Sequence, residues 1–159
     1  MNIRRMTLGD IPAVVALDRL SFTLPWPERS FRFELTSNPA SRCWVYELDG
    51  KIIGTIVAWL LVDEAHIATI ATHPEYRRQG IARNILTYAL RYMSMEGAVT
   101  SFLEVRETNM PAQEMYREFG YEAVGRRKKY YKDTGEDAIL MTLPNLDRFK
   151  INNFHHPTP

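Results

Sequence analysis

The chain of 159 residues is long enough for one domain with a sizeable core and too short for two. Its 45% hydrophobic and 25% charged residues exclude the disordered, collagen-like and low-complexity classes. A formal net charge of +1 excludes a molecule that holds nucleic acid or a membrane surface by its overall field, so any basic function must come from a local cluster.

In chain order, Asn2 to Met6 reads as a short strand running into Thr7-Leu-Gly-Asp10. There a hydroxyl and a carboxylate three residues later can satisfy the free N–H groups of a helix start. The first helix reaches about Leu20 with Ile11, Val14 and Val15 as its buried stripe. Ser21 to Pro27 is a proline-punctuated aromatic loop, and a second helix runs from Pro27 to about Leu35. The period then changes to two. Arg42 to Leu48 and Lys51 to Val62 are joined by Asp49-Gly50, the strongest short hairpin signal, and Ala65 to Thr72 adds a third antiparallel strand. From Gly80, Ile81, Ile85, Ala89 and Met93 recur every four residues in a helix that Gly97 closes. Thr100 to Arg106 is a strand, Pro111 opens a helix with Ala112, Met115 and Phe119 on one face, and Gly120 stops it. Two last strands, near Tyr121 to Tyr131 and Glu136 to Leu143, surround the turn at Lys132-Asp-Thr-Gly135. The order βααβββαβαββ predicts an α/β (α+β) mixed sheet with helices on its faces, one domain over 1–143 and a loosely held tail over 144–159.

No apolar run approaches the roughly 20 residues that span a bilayer, and the start of the chain lacks an apolar targeting core, so a cytoplasmic protein with no membrane partner is expected. The single Cys43 allows no internal disulfide and reads as a buried structural thiol. His66 and His73 lack partners at metal spacing and His155-His156 fall in the tail, so no metal site is expected.

The segment Ile67 to Ile85 carries the most chemistry. A β-branched strand gives way to Pro74-Glu-Tyr-Arg-Arg-Gln-Gly-Ile-Ala-Arg83 and at once to a helix. Gly80 and Ala82 keep bulk away from a loop whose N–H groups converge on an anion, and Arg77, Arg78 and Arg83 add positive charge; the bland alternative is a turn with solvated arginines. Glu104, inside a strand and flanked by Leu103 and Val105, has two readings: a pair with Arg106 on the same face, or a general base with a raised pKa. Tyr116 is a core tyrosine or a proton donor, and Asn109 a helix cap or a ligand contact. Trp26, Tyr130 and Tyr131 are aromatics that periodicity does not explain; they line a pocket or pack a loop on the sheet. Arg126-Arg-Lys-Lys129 reads as a solvated strand face rather than a nucleic-acid site.

Together these residues resemble the GNAT superfamily of N-acetyltransferases, and within it the RimI-like protein N-terminal acetyltransferases. The likeness spans nearly the whole chain to Leu143: Phe22-Thr-Leu-Pro-Trp26, Asp63-Glu-Ala65, Ile70-Ala-Thr-His-Pro74, Arg77-Arg-Gln-Gly-Ile-Ala82, Leu103-Glu-Val-Arg106, Asn109-x-x-Ala112-x-x-x-Tyr116, Phe119-Gly-Tyr121, Arg127-x-x-Tyr130-Tyr131 and Glu136-Asp-Ala138. Arg77, Ala82 and Pro27 depart from the residues common there, and Pro27 falls in a substrate-facing part. The resemblance implies a mostly antiparallel seven-stranded sheet with four helices, its fourth and fifth strands parallel and splayed around the pantetheine arm of acetyl-coenzyme A. It implies that the backbone of Ile70, Ala71 and Thr72 bonds that arm. Arg77, Arg78, Gln79, Gly80, Ile81, Ala82 and Arg83 would hold the pyrophosphate, and Asn109 would touch the arm. Glu104 would be the base, Tyr116 the acid, and Trp26, Tyr130 and Tyr131 the flank of an entering peptide.

Acceptor class follows from proton affinity. An α-amine is about a quarter to a third neutral at pH 7.4 and a lysine about 0.1%, a difference of roughly 3.5 kcal/mol that favours a protein N-terminus. A RimI-like enzyme would acetylate the N-terminal alanine of a small-subunit ribosomal protein. Acetylation of a small-molecule amine, or a non-catalytic acyl-coenzyme A-binding module, are the alternatives.

Overall fold

Asp49 and Gly50 both take positive φ (50° and 76°), the left-handed pair that a two-residue hairpin requires, and they fold β2 (Ser41–Leu48) back on β3 (Lys51–Leu61). The structure, a computed structural model, describes residues 2–146. β1 (Asn2–Arg5) pairs with the outer edge of β2, and β4 (Glu64–Thr72) returns along β3, giving four antiparallel strands in sequence order. The second half adds β5 (Thr100–Arg106), β6 (Glu122–Arg127) and β7 (Ala138–Leu143), so the sheet reads β1-β2-β3-β4-β5-β7-β6. Only β4 and β5 run parallel, across the crossover helix α3 (Ile81–Met95). The seven strands and four helices follow the order read from the sequence.

Helices cover both faces. Trp44 and Tyr46 point to α3 and α4 (Met110–Phe119), among Ile56, Ile85, Leu90 and Met141; Val45, between them, points to α1 (Ile11–Ser21) and α2 (Glu28–Thr36), with Val14, Phe31 and Val57. Burial on both sides explains why β3 is a continuous apolar run rather than an alternating one. Thr7 and Asp10 do close on each other: the Thr7 N–H donates to Asp10 Oδ2 at 2.8 Å, and Arg4 grips the same carboxylate. They cap a 3-10 turn, Leu8–Asp10, that precedes α1. Gly120 ends α4 at φ 103°.

Two expectations are corrected. The last hairpin is shorter than read, because residues 128–137 form a loop held by side chains rather than by strand pairing. The region after Pro144 is not loose throughout: Leu146 is wholly buried, its N–H donates to the Val99 carbonyl at 2.9 Å, and Ser94 donates to its carbonyl. Residues 147–159, including His155 and His156, lie outside the described residues. β4, present as read, carries in addition a bulge, with Thr69 opposite Val57 and Ile67 opposite Ala58, which leaves Ala68 as the extra residue.

That bulge sits where the sheet opens. β4 and β5 pair only from Glu64↔Thr100 to Ile67↔Leu103; beyond this, β4 continues to Thr72 and β5 to Arg106 without a hydrogen-bonded partner between them.

Candidate active site

The wedge between the diverging strands is a cleft of about 1360 Å³. Fifteen of the sixteen residues singled out from the sequence line it, from Trp26 through Ile70, Ala71, Thr72, Arg77, Arg78, Gly80, Ile81, Ala82 and Arg83 to Glu104, Asn109, Tyr116, Tyr130 and Tyr131; Gln79 alone does not.

The β4 wall is backbone. Main-chain groups on its β5-facing edge from Ala68 to Thr72 have no strand to bond, which is the requirement for holding an extended amide-bearing arm. Past His73 the chain bends through Arg78 at φ 63° and Gly80 at φ 80°, and α3 begins at Ile81. The N–H groups of Ile81, Ala82 and Arg83 stand in the first helical turn with no intrahelical acceptor, at the positive end of the helix dipole. These residues fit a diphosphate. A Cβ at Gly80 would meet nothing in the chain within 4 Å, so glycine is needed there for its positive φ and not for space. Gly54 is the crowded one: a Cβ there would stand 2.8 Å from Ile81 Cγ2, under the start of α3. The Arg83 side chain reaches Glu118 on α4, leaving the guanidinium groups of Arg77 and Arg78 exposed on the loop.

Glu104 does not pair with Arg106. Its Oε2 lies 2.9 Å from His66 Nε2, and its Oε1 lies 3.8 Å from the Arg127 guanidinium. Trp59, His66 and Phe102 are register partners on β3, β4 and β5, so His66 is held between two rings, 5.0 Å from Trp59 and 4.6 Å from Phe102. The indole is fixed in turn by its N–H to buried Glu34 of α2 at 3.0 Å. The expected raised pKa is also corrected. The His66 hydrogen bond, with the charges of His66 and Arg127, outweighs desolvation and holds the Glu104 carboxyl below its ordinary value. An ionised carboxylate only accepts hydrogen bonds, so the imidazole donates from Nε2. In the sequence His66 stands out only as a candidate metal ligand; its register with Glu104 depends on β4–β5 pairing, which sequence periodicity does not give.

Across the cleft, Tyr116 is buried on α4, edge-on to Tyr121 at 5.7 Å, and burial pushes its phenol well above the ordinary value, so it stays protonated at neutral pH. Asn109 caps α4, its side-chain oxygen accepting from Ala112 N–H at 3.3 Å. The cap reading of Asn109 holds, and the residue also lines the cleft.

The rim that holds Trp26, Tyr130 and Tyr131 is made of loops. The Trp26 N–H donates to buried Asp18 at 2.6 Å, and its ring packs 5.4 Å from Phe31. Arg106, freed of Glu104, instead clamps Asp133 and Glu136 of the β6–β7 loop, with its guanidinium carbon 4.0 Å from the Tyr131 ring centre. Among the described residues no group of three or more His, Cys, Asp or Glu could hold a metal, and no helix is long and apolar enough to cross a membrane. Cys43 is buried, and burial pushes its thiol up to about 11, as suits a structural residue.

The sequence model of the acetyltransferase (GNAT) family matches residues 11–121. The chain belongs to that family. It is 41% identical over 139 residues to a putative ribosomal protein bS18-alanine N-acetyltransferase of Bacillus subtilis, covering 87% of this chain and 92% of that one. It is 33% identical over 147 residues to the bS18-alanine N-acetyltransferase of Escherichia coli, covering 90% and 97%. The crystal structure of the Escherichia coli ribosomal-protein-S18-alanine N-acetyltransferase superposes with a TM-score of 0.84 at 27% identity over 99% of both chains. The protein is thus an acetyl-coenzyme A-dependent N-acetyltransferase with a RimI-like GNAT fold.

Proposed function

We propose that this GNAT enzyme acetylates the α-amine of a protein N-terminus, an N-terminal alanine of a small-subunit ribosomal protein, by direct attack in a ternary complex. One observation carries the reading: Glu104 on the β5 side and Tyr116 on the α4 side face a single cleft whose β4 wall is unpaired backbone. Resemblance to bS18-alanine acetyltransferases from two genera supports the acceptor.

Acetyl-coenzyme A supplies an activated thioester. Backbone groups of Ile70, Ala71 and Thr72 and the Asn109 amide orient its arm, while Arg77 to Arg83 hold its pyrophosphate at the N-terminus of α3. Glu104, ionised throughout the neutral range, takes the proton that the amine loses. A low-pKa carboxylate is a weak base, which suffices for an α-amine already about a quarter neutral at pH 7.4 and would serve a lysine poorly. Tyr116 faces the leaving sulfur. Full transfer from its phenol to a thiolate near pKa 8.5 is uphill, so Tyr116 acts chiefly by hydrogen-bonding the charge as it develops. Trp26, Tyr130 and Tyr131 flank the entering chain.

The reading is tested by incubating the protein with acetyl-coenzyme A and peptides bearing different free N-termini, following thiol release and locating the acetyl group by mass spectrometry. Acetylation at the α-amine, best with alanine first, is expected; modification of lysine or small amines alone overturns it.

A further inference from the structure

Two loops form the acceptor side of the cleft, one between α1 and α2 (Phe22, Thr23, Leu24, Trp26) and one between β6 and β7 (Tyr130, Tyr131, Lys132). Neither is tied down by strand pairing, yet both converge on one side chain of β5. Arg106 donates to Asp133 twice, to Oδ1 at 2.9 Å and to Oδ2 at 2.8 Å, and to Glu136 Oε1 at 3.0 Å. Its planar face lies on the Tyr131 ring. Asp133 also accepts from the Thr23 hydroxyl, which joins the second loop to the same carboxylate, and Glu136 accepts from Thr108 at 2.7 Å.

We propose that Arg106 is a positioning residue for the acceptor: it fixes the β6–β7 loop directly, and the α1–α2 loop through Asp133 and Thr23, so that both walls of the acceptor entrance are set by one guanidinium. This rests on the reading above that an acceptor enters between those loops. The geometry uses what arginine alone offers, a planar fork that grips a carboxylate with two bonds while stacking on an aromatic ring. Its purpose is placement rather than stability. Partly exposed ion pairs contribute little to folding, so such a cluster is a poor stabiliser and a good clamp. The grip is firm: Arg106 first, and Thr23 second, hold the Asp133 carboxyl down at about 2, so the clamp is fully charged at any pH at which the amine is nucleophilic.

Steady-state kinetics with acetyl-coenzyme A and a synthetic peptide carrying a free N-terminal alanine test the inference. Arg106→Met is expected to raise the peptide KM about tenfold to a hundredfold, with the KM for acetyl-coenzyme A within about twofold of the unaltered enzyme. Arg106→Lys keeps the charge and loses the fork, and should recover only part of the loss. Thr23→Val severs the cross-loop link alone and should raise the peptide KM about threefold to tenfold, without changing the fold as judged by the melting temperature. An unchanged peptide KM in Arg106→Met, or equal losses toward both substrates, overturns the inference. If the unaltered enzyme itself turns over no N-terminal peptide, the acceptor reading fails instead.

Discussion

Glu104 and His66 each have only 15% of their side chain exposed, and the hydrogen bond between them is the main cause that holds the Glu104 carboxyl below its ordinary value. Glu104→Gln keeps the shape and removes the proposed base; kcat should fall by about 10² to 10⁴ while acetyl-coenzyme A affinity, read by calorimetry, stays the same. Tyr116→Phe should lower kcat in the same range without touching that affinity. For His66 the sign of the pH effect is fixed. The imidazole lowers the Glu104 pKa, so His66→Phe, which keeps a ring between Trp59 and Phe102 and removes the donor, lets that pKa rise. Glu104 then remains protonated to a higher pH, and the acidic limb of kcat/KM should move toward neutrality; a limb that stays in place would show that His66 does not set the charge of Glu104. Residue identities at this scale were legible because Glu104 inside an apolar strand and Tyr116 on an apolar helix face both break a local rule. Their partners were not, since His66 and Asp133 stand 38 and 27 residues from the groups they bind.

At the scale of elements, the turn chemistry read true where a backbone angle demands a residue type: Asp49-Gly50 in the hairpin, Gly97 after α3 and Gly120 after α4 all take positive φ. The bulge at Ala68 and the early end of β4–β5 pairing left no local mark, because register is decided by neighbours distant in sequence. Two glycines near the start of α3 separate space from conformation. Gly80→Val imposes a left-handed angle on a β-branched residue and should weaken acetyl-coenzyme A binding, measured by calorimetry, with a strain of about 1–2 kcal/mol at the loop. Gly54→Ala adds a methyl against Ile81 and Tyr46 Cβ, the latter at 3.2 Å. It should cost about 1–3 kcal/mol of folding stability by denaturant titration, because both neighbours are buried and β-branched or ring-bearing, with little freedom to yield.

Over the whole molecule, one sheet sandwiched by two helical layers was readable from the order of elements, whereas the reach of the core past Leu143 was not. Leu146 follows a proline and an asparagine and carries no periodic signal, yet it fills the core beneath α3. Leu146→Ala should therefore lower stability by about 2–5 kcal/mol in chemical denaturation, as a core position does. The gap between β4 and β5 has a reciprocal meaning for the fold. A coenzyme arm lying there, as proposed, would bond the main-chain groups of β4 that lack a strand, and the small molecule would then behave as an interior strand that the polypeptide itself does not encode. Mass action then makes resistance to unfolding follow the supply of that molecule, by about 2.7 kcal/mol at a hundredfold excess over its dissociation constant. Slowed amide exchange along 68–72 would be its signature, and a cell poor in coenzyme A would hold a softer enzyme.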